Sequence, residues 1–229
     1  MSVQPRQLAV LEAMGVAVYV PRTAGPGSAR APEAATGSGA PDWDALAEAV
    51  RGCRLCGLCE TRTQTVFGVG HRNARLMVVG EAPGAEEDRQ GEPFVGRAGL
   101  LLNAMLRAAG FARGEVMIAN VLKCRPPNNR DPSDEEAERC LPYLRRQIEL
   151  VDPEVILCVG RIAAQRLLDT DTPISRLRGR VHRLDGRPVV VTYHPAYLLR
   201  SPGEKPKSWE DLKLALGVLA GGRAGVGRA

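Results

Sequence analysis

Short runs of apolar residues recur along this chain, and each has the length of a buried strand. Four runs stand out, at residues 76–79, 116–119, 155–159 and 188–193. Other segments place apolar residues at helical spacing, namely residues 44–50, 98–109, 161–168 and 209–219. Because strands and helices alternate in this order, the pattern predicts an α/β fold with a mainly parallel central sheet.

A further helix is predicted to begin at Ser133. Glu136 follows three residues later, and this spacing is typical of a capping box at a helix N-terminus. The helix would carry Cys140, and Pro142 either kinks it or starts a new first turn.

The two ends of the chain differ in composition from its middle. Residues 23–41 are rich in Gly, Ala, Pro and Ser, so they bury too little apolar surface to offset the entropy of ordering. We therefore expect an N-terminal extension with a flexible linker over residues 1–42, in which residues 5–20 form a short helix and a strand. One folded domain is expected over residues 43–220 and a disordered tail over residues 221–229.

The overall composition is that of a globular protein with one substantial core, at 229 residues, 44% hydrophobic and 25% charged. A formal net charge of +5 favours a polyanionic partner without establishing one. No apolar stretch reaches the ~20 residues that cross a bilayer, and the N-terminus lacks the order of a secretory signal. A soluble, cytoplasmic protein is expected, with a monomer as the default.

The cysteines are considered for metal binding, because cytoplasmic proteins rarely form disulfides. Cys53 and Cys56 are separated by two residues, whereas Cys124 and Cys140 lie far along the chain with fifteen residues between them. An iron–sulfur cluster accepts widely spaced ligands, while a zinc ribbon usually has a second close pair. Spacing alone leaves a cluster, a zinc site and unligated thiols open, and Cys59 is a rival ligand.

Distinctive polar residues follow the four apolar runs. Glu81 follows Gly80 after the first run, and Asn120, Arg161 and His194 follow the others. Ligands of open α/β sheets bind at the carboxyl ends of strands, so we expect these side chains to face one crevice. A carboxylate suits holding a water, and an amide matches the paired donor and acceptor of a pyrimidine edge. A helix-capping Glu81 and a turn-forming Asn120 are the alternatives.

Two loops carry features suited to nucleic acid. Phe94 stands in a Gly/Pro loop, where its ring either stacks on a flat base or packs in the core. Leu198 and Leu199 beside Arg200 suit a wedge in a DNA groove, or else the first turn of a packed segment. The acidic run at residues 86–88 is interpreted as a solvated face. Basic candidates for phosphate contact are Lys123, Arg125, Arg130, Arg176, Arg178, Arg180 and Arg183.

Taken together, these motifs resemble those of the family 4 uracil-DNA glycosylases, the iron–sulfur branch of the uracil-DNA glycosylase superfamily. The resemblance covers about residues 53–219. It rests on Cys53-x-x-Cys56, Gly80-Glu81-Ala82-Pro83-Gly84, Gly91-x-Pro93-Phe94-Val95-Gly96, Asn120 to Pro127, Asn129-Arg130, Cys140, and His194 to Arg200. It implies a three-layer α/β/α sandwich and an enzyme that flips uracil out of DNA and hydrolyses its N-glycosidic bond.

The resemblance also implies roles for single residues. His194 would donate a hydrogen bond to uracil O2, and Glu81 would orient the attacking water, a role that Glu87 is near enough in sequence to share. Phe94 would stack on the base, and Asn120 would bind its N3 and O4 edge. Further base contacts are expected from Gly80, Ala82 and Asn129, and DNA contacts from Leu198, Leu199, Arg200, Arg125 and Arg130. A 4Fe-4S cluster is implied on Cys53, Cys56, Cys124 and Cys140, without Cys59.

Two alternatives are weighed against this interpretation. A catalytically silent metal–sulfur DNA-binding module, or a small redox carrier, would use the thiolates and leave Glu81 and His194 without a role. A branch of the superfamily that crosslinks covalently to uracil-DNA has an extra basic, histidine-containing loop where this chain has residues 124–127, so that branch is disfavoured. The extension at residues 1–42 is a candidate docking segment for a replication or repair protein.

Overall fold

The computed structural model describes residues 40–225. The predictions for residues 5–20, for most of the linker and for residues 226–229 lie outside this range. The first described helix begins at Ala40 and the last one reaches Gly225. Helical structure therefore extends a few residues into both the predicted linker and the predicted tail.

A six-stranded sheet forms the centre of the described structure, in the order β1-β3-β2-β4-β6-β5. The strands are β1 (Val69–Gly70), β2 (Leu76–Gly80), β3 (Met117–Asn120), β4 (Val155–Val159), β5 (Val181–Leu184) and β6 (Arg187–Thr192). The four inner strands are parallel, and they confirm the four predicted strands to within one residue at each end. The antiparallel edge strands are not predicted, because β1 is very short and β5 has no buried residue.

Helices cover both faces of the sheet. They are α1 (Ala40–Arg51), α2 (Ala85–Gln90), α3 (Arg97–Ala108), α4 (Asp134–Val151), α5 (Arg161–Leu168), α6 (Ile174–Leu177), α7 (Pro195–Arg200) and α8 (Lys205–Gly225). Alternate strand residues face opposite sides. Met77 and Val79 pack in one apolar cluster with α1, α4 and α5, and Leu76 and Val78 pack in another with α3 and α8. The three-layer α/β/α sandwich is therefore confirmed. None of the described helices combines the length and apolar character needed to cross a membrane.

Helix α4 begins where the capping box predicts. Ser133 Oγ accepts a hydrogen bond from Glu136 N at 3.2 Å, and the Glu136 carboxylate accepts one from Ser133 N at 2.9 Å. Pro142 lies inside this helix, which continues to Val151 as one element, so Pro142 starts no new helix. Cys140 lies on the buried face of α4, against the sheet.

The parallel register brings the strand ends to one edge of the sheet. Gly80 of β2 pairs with Asn120 of β3, and Val159 of β4 pairs with Thr192 of β6. The residues that follow these positions therefore emerge side by side, as the strand-end pattern predicts.

Candidate active site

A cavity of about 430 Å³ opens at the carboxyl edge of the sheet. It brings together Glu81, Phe94, Asn120 and His194, which come from four separate segments of the chain. The remaining lining residues are Ala82, Pro83, Gly84, Glu87, Ala98, Pro126, Asn129, Arg130, Ala196, Tyr197 and Arg200. The acid, the amide and the imidazole meet as expected from the strand ends, whereas the aromatic ring comes from the loop before α3 and the strand-end Arg161 does not line the cavity.

Gly80 lets two of these side chains come close to each other. A Cβ atom at this position would lie 2.4 Å from Asn120 Oδ1 and 2.6 Å from the ring of Phe94. Gly80 is predicted to contact the base, but it lies behind these two side chains and does not line the cavity. Its contribution is the space that the Asn120 amide and the Phe94 ring occupy.

Phe94 has a left-handed backbone conformation, with φ of 55°, which is costly for a bulky residue. Arg113 Nη2 donates a hydrogen bond to the carbonyl oxygen of the preceding Pro93 at 2.5 Å. Gly99 packs so closely that a Cβ atom there would lie 1.8 Å from the Phe94 carbonyl oxygen. Phe94 is 6% exposed and belongs to the core, so the core interpretation is confirmed, while stacking on a base stays a prediction for a residue that also lines the cavity.

The ring of His194 is held as a neutral hydrogen-bond donor. His194 caps α7, and its Nδ1 accepts a hydrogen bond from Ala196 N at 3.1 Å. A neutral ring whose Nδ1 is an acceptor carries its proton on Nε2. Burial lowers the pKa of His194 to about 4, with the charge of Arg200 acting in the same direction and that of Glu87 opposing it. At neutral pH the imidazole is therefore uncharged.

Glu81 has the electrostatics of a group that exchanges protons near neutral pH. Burial raises the pKa of Glu81 to about 7, and the negative charge of Asp131 adds to the rise while Arg161 opposes it. Arg161 does not line the cavity, and it forms an ion pair with Asp131 at 2.8 Å. Arg161 thus affects the site through its charge. With a pKa of about 7, Glu81 gains or loses its proton near neutral pH, as a residue in acid–base catalysis must.

The Glu87 carboxylate is occupied by the backbone of two loops. Its Oε1 accepts hydrogen bonds from Val95 N at 3.0 Å and Gly96 N at 3.2 Å, and its Oε2 accepts one from Gly84 N at 3.1 Å. Three N–H donors leave this carboxylate little capacity to act on a water. Glu87 lines the cavity, but its hydrogen bonds stabilise the loops that carry Pro83 and Phe94.

The acidic run that begins at Glu86 is not the solvated face that its composition indicates. Only Glu86 fits that interpretation, since it is exposed and pairs with Arg89. Asp88 is 4% exposed and accepts hydrogen bonds from Thr63 N, at 2.9 Å, and Gln64 N, at 3.4 Å. This interpretation is therefore wrong for Asp88, which ties α2 to the segment that follows the cysteine pair.

Asn120 is buried beside a lysine of the core. Asn120 is 2% exposed, and its Oδ1 has no hydrogen-bond partner among the described residues. Lys123 Nζ donates hydrogen bonds to the Asn120 carbonyl oxygen at 2.8 Å and to Gln147 Oε1 at 2.5 Å. The prediction that Lys123 contacts phosphate is wrong, because its ammonium group lies inside the fold.

Helix α7 exposes side chains that differ from those predicted. Leu198 is 1% exposed and lies against α3 and α8, so the predicted DNA contact by Leu198 is not supported. Leu199 and Tyr197 are each more than a third exposed, and Tyr197 and Arg200 line the cavity. Tyr197 is a cavity residue that the sequence analysis missed, because nothing in its motif distinguishes it from a structural tyrosine.

Two of the predicted DNA-contacting arginines have partners of their own: Arg130 lines the cavity, and Arg125 contacts the lining residue Asn129. Arg125 Nε donates a hydrogen bond to Asn129 Oδ1 at 2.8 Å. Arg130 forms two hydrogen bonds with the Glu136 carboxylate, at 2.6 and 2.9 Å, although about half of its side chain is exposed. These contacts orient the two arginines and Asn129, and their roles toward DNA stay predictions.

A second cavity brings together five cysteines, Cys53, Cys56, Cys59, Cys124 and Cys140. The four predicted metal ligands are therefore neighbours, and the rival Cys59 shares their space. The remaining lining residues are Leu55, Leu58, Arg62, Leu122, Lys123, Glu136, Arg139 and Tyr143.

N–H groups donate to two of these sulfur atoms. Arg62 Nη1 donates to Cys124 Sγ at 3.0 Å, and Lys123 N donates to Cys140 Sγ at 3.2 Å. Such donors stabilise negative sulfur in a metal–thiolate group. Within residues 40–225, no three His, Cys, Asp or Glu side chains are arranged to hold a single metal ion. Arg62 was missed because it is distant in sequence from Cys124.

Comparison with known proteins places the chain in a family. The model of the uracil DNA glycosylase superfamily matches residues 67–213. A type-4 uracil-DNA glycosylase of Archaeoglobus fulgidus is 47% identical over 78% of this chain and 93% of its own length. Proteins of the same description from Thermotoga maritima and Pyrobaculum aerophilum are 46% and 42% identical, over 68% and 77% of this chain and 82% and 94% of their own lengths. The chain therefore belongs to the uracil DNA glycosylase superfamily and, within it, to the type-4 enzymes.

Proposed function

We propose that this protein removes uracil from DNA by hydrolysing the N-glycosidic bond, leaving an abasic site and free uracil. The observation that carries this proposal is the convergence of Glu81, Phe94, Asn120 and His194 on one cavity. The similarity to proteins described as type-4 uracil-DNA glycosylases supports it.

Recognition of uracil begins with its extrusion from the base stack, which costs a few kcal/mol that the pocket must recover. The Phe94 ring provides a stacking surface. The unpartnered Asn120 Oδ1 is suited to accept from uracil N3–H while its amide nitrogen donates to O4. Cytosine has an amino donor in place of O4 and no N3–H. Each unpaired group would cost about 1–3 kcal/mol, so the amide disfavours cytosine.

Bond cleavage moves charge toward the leaving base. The electron pair of the C1′–N1 bond passes to uracil, where His194 donates its Nε2 hydrogen bond to O2, and this bond strengthens as negative charge develops. A neutral donor serves this purpose, in agreement with a pKa of about 4. One such donor contributes about 3–4 kcal/mol to transition-state stabilisation.

Glu81 acts on the sugar side of the bond. Its carboxylate orients a water toward C1′ and takes up the proton that this water loses as the C1′–O bond forms. Its negative charge also stabilises the positive sugar. A pKa of about 7 gives a base that is largely ionised just above neutrality and still strong enough to accept a proton. We assign Glu87 to the support of the loops, because its carboxylate is already bound by three backbone N–H groups.

We also propose that Cys53, Cys56, Cys124 and Cys140 hold a 4Fe-4S cluster. Their shared cavity and the N–H donors to Cys124 and Cys140 support this assignment. The cluster, when bound, would supply crosslinks between the segment after α1, the loop after β3 and α4. We assign the cluster a structural role.

Iron content and visible absorbance test the ligand assignment. Cys56→Ser is expected to lose both signals, whereas Cys59→Ser, at the neighbouring thiol of the same cavity, keeps them. Loss of the cluster in Cys59→Ser together with its retention in Cys56→Ser would show that the assignment is wrong.

DNA containing uracil is the proposed partner, in line with the net charge of +5 and with Arg130 and Arg200, which line the cavity, and Arg125, which contacts the lining residue Asn129. Leu199 is a further candidate for a DNA contact, since it is exposed on α7. Docking of a replication or repair protein on residues 1–42, a monomeric state and a cytoplasmic location stay predictions.

The proposed activity is tested with oligonucleotides that carry a single uracil, followed by alkaline cleavage of abasic sites. Matched oligonucleotides with thymine or cytosine at the same position are the controls. We expect strand cleavage at uracil alone, and its loss in Glu81→Gln. A cluster-loaded protein that binds DNA but releases no uracil would instead support the silent DNA-binding module.

A further inference from the structure

Tyr197 occupies the mouth of the uracil cavity without a role in bond cleavage. Its side chain lines the cavity together with Arg200, and it is 37% exposed. The ring therefore has a free surface where bound DNA would pass.

Tyr197 packs against Tyr193, which in turn contacts Arg178. Its ring lies 5.1 Å from the ring of Tyr193, at an interplanar angle of 45°. The guanidinium group of Arg178 lies 5.0 Å from the centre of the Tyr193 ring. Arg178 is itself fixed by an ion pair with the fully buried Asp211, at 2.9 Å. This line of contacts holds the Tyr197 ring in place before any ligand arrives, which lowers the entropy lost on binding.

Arg178 is among the predicted phosphate contacts, and the structure assigns it differently. Its side chain is 14% exposed, and its guanidinium also donates to the carbonyl oxygen of Lys207. The Asp211 carboxylate accepts a second hydrogen bond from Gly179 N, at 3.1 Å. Because Arg178 already contacts Asp211 and Lys207, its guanidinium group has little freedom to reach a phosphate. We assign it the role of holding the rings of Tyr193 and Tyr197 in place.

The neighbours of Tyr197 on α7 are less suited to contact a base. Leu198 is buried against α3 and α8, and Leu199 is exposed but does not line the cavity. Arg200 lines the cavity and offers a cation for the phosphate next to the site. The side chain that combines exposure, a flat apolar surface and a place at the cavity mouth is Tyr197.

We propose that Tyr197 is a DNA-binding residue whose ring stacks on the base next to the extruded nucleotide. This inference rests on the proposed function, since it needs a nucleotide extruded into the adjacent cavity. Stacking of bases on aromatic side chains tolerates any sequence, because every base has a flat face. The contact would therefore strengthen binding around uracil without selecting the neighbouring sequence.

The test measures binding to an oligonucleotide that carries a tetrahydrofuran abasic analogue, which the enzyme cannot hydrolyse, beside the fluorescent base 2-aminopurine. Tyr197→Ala is expected to raise Kd by about tenfold and to increase 2-aminopurine fluorescence in the complex, because the ring no longer stacks. Tyr197→Phe keeps the ring and is expected to restore most of both signals. Tyr193→Leu removes the support and should give an intermediate Kd.

Trp209→Ala is the matched control. Trp209 is an aromatic residue of nearly equal exposure, 38%, and it lines a groove between α3 and α8 instead of the uracil cavity. The Kd of Trp209→Ala for the same oligonucleotide should stay within about twofold of that of the unsubstituted protein. Circular dichroism melts of all variants show that each is folded.

The outcomes separate this inference from the proposed function. An unchanged Kd in Tyr197→Ala overturns the stacking role, and so does an equal loss in Tyr197→Phe, which would point to the hydroxyl group. Uracil release by the unsubstituted protein is measured in parallel. Its absence counts against the proposed function, while the abasic oligonucleotide still reports whether the Tyr197 ring binds DNA.

Discussion

The imidazole of His194 lies against the ring of Phe94, with ring centroids 5.6 Å apart and planes inclined by 30°. The proposed hydrogen-bond donor and the proposed stacking surface therefore form one wall of the cavity. Gly160 also lies close to His194, since a Cβ atom there would lie 3.1 Å from His194 Cβ and 3.3 Å from its Cδ2. His194 is therefore closely packed in the absence of a ligand.

Replacement of His194 by Ala should lower the rate of uracil release by roughly 10²- to 10³-fold, because the donor to O2 is lost. The measurement is single-turnover release from a uracil oligonucleotide, with iron absorbance recorded to show that the cluster is intact. His71→Ala, at an exposed histidine outside the cavity, is the control and should keep its rate. Release within threefold of the unsubstituted rate in His194→Ala would remove His194 from the mechanism.

Asn120→Asp should lower the ratio of uracil to cytosine release by at least about tenfold, since a carboxyl group no longer offers the donor that pairs with O4. The ratio is measured on matched duplexes that differ only in the target base. Asn73→Asp makes the same chemical change at an exposed position away from the cavity. An unchanged ratio in Asn120→Asp would contradict the assignment of the amide to the pyrimidine edge.

The decrease of kcat/KM at low pH should reflect protonation of Glu81. Glu81 must be ionised to act, and its pKa is about 7, so kcat/KM is expected to fall as pH decreases below 7. His194, with a pKa of about 4, stays neutral over this range. Asp131→Asn removes a negative charge that raises the pKa of Glu81, so the decrease should move to lower pH; Arg161→Gln should move it to higher pH. If the pH profiles of kcat/KM for both variants superimpose on that of the unsubstituted protein, a group other than Glu81 is responsible for the decrease at low pH.

Glu87→Gln should lower the stability of the protein by about 1–3 kcal/mol, because an amide cannot accept all three backbone N–H bonds. Glu86→Gln, at the exposed neighbouring carboxylate, should change stability little. Thermal melts and KM are measured together, and the loss of order in the loop is expected to raise KM. A variant with an unchanged Tm and a large loss of kcat would instead indicate that Glu87 is the catalytic carboxylate.

Gly99→Ala should destabilise the protein by about 1–3 kcal/mol and raise KM, since the added methyl group collides with the Phe94 backbone and displaces the ring. Gly114→Ala is the matched control, because a Cβ atom there meets nothing within 4 Å. Melting temperature and KM for a uracil oligonucleotide are the measurements. Equal behaviour of the two variants would show that the close approach at Gly99 has no effect on the site.

The main features of the fold could be predicted because they depend on local patterns. The apolar runs at residues 76–79 and 155–159 are long enough to be strands buried on both faces, and the Ser133–Glu136 spacing marks a helix start. The edge strand at residues 181–184 has no such run, since one of its sides pairs with no other strand. Its pairing with β6 arises from contacts that the local pattern does not contain.

Site residues that follow directly after a strand could be predicted from the sequence. Residues whose role depends on whether their side chains are buried could not. Glu81, Asn120 and His194 meet because parallel strands end at one edge. Lys123 was expected at the surface, yet Gln147, which is 24 positions away, provides an acceptor inside the fold. Leu198 was likewise expected at the DNA, although its position on α7 places it against α3 and α8.

The sequence by itself determined which residues form strands and which polar groups end them, because periodicity is a local property. Only the tertiary structure decided which charges are free and which are paired. The Lys123 amine and the buried Asp88 carboxylate owe their state to neighbours that are 24 and 25 positions away in the chain. Desolvation and hydrogen bonding depend on those neighbours, and residue type alone does not specify them.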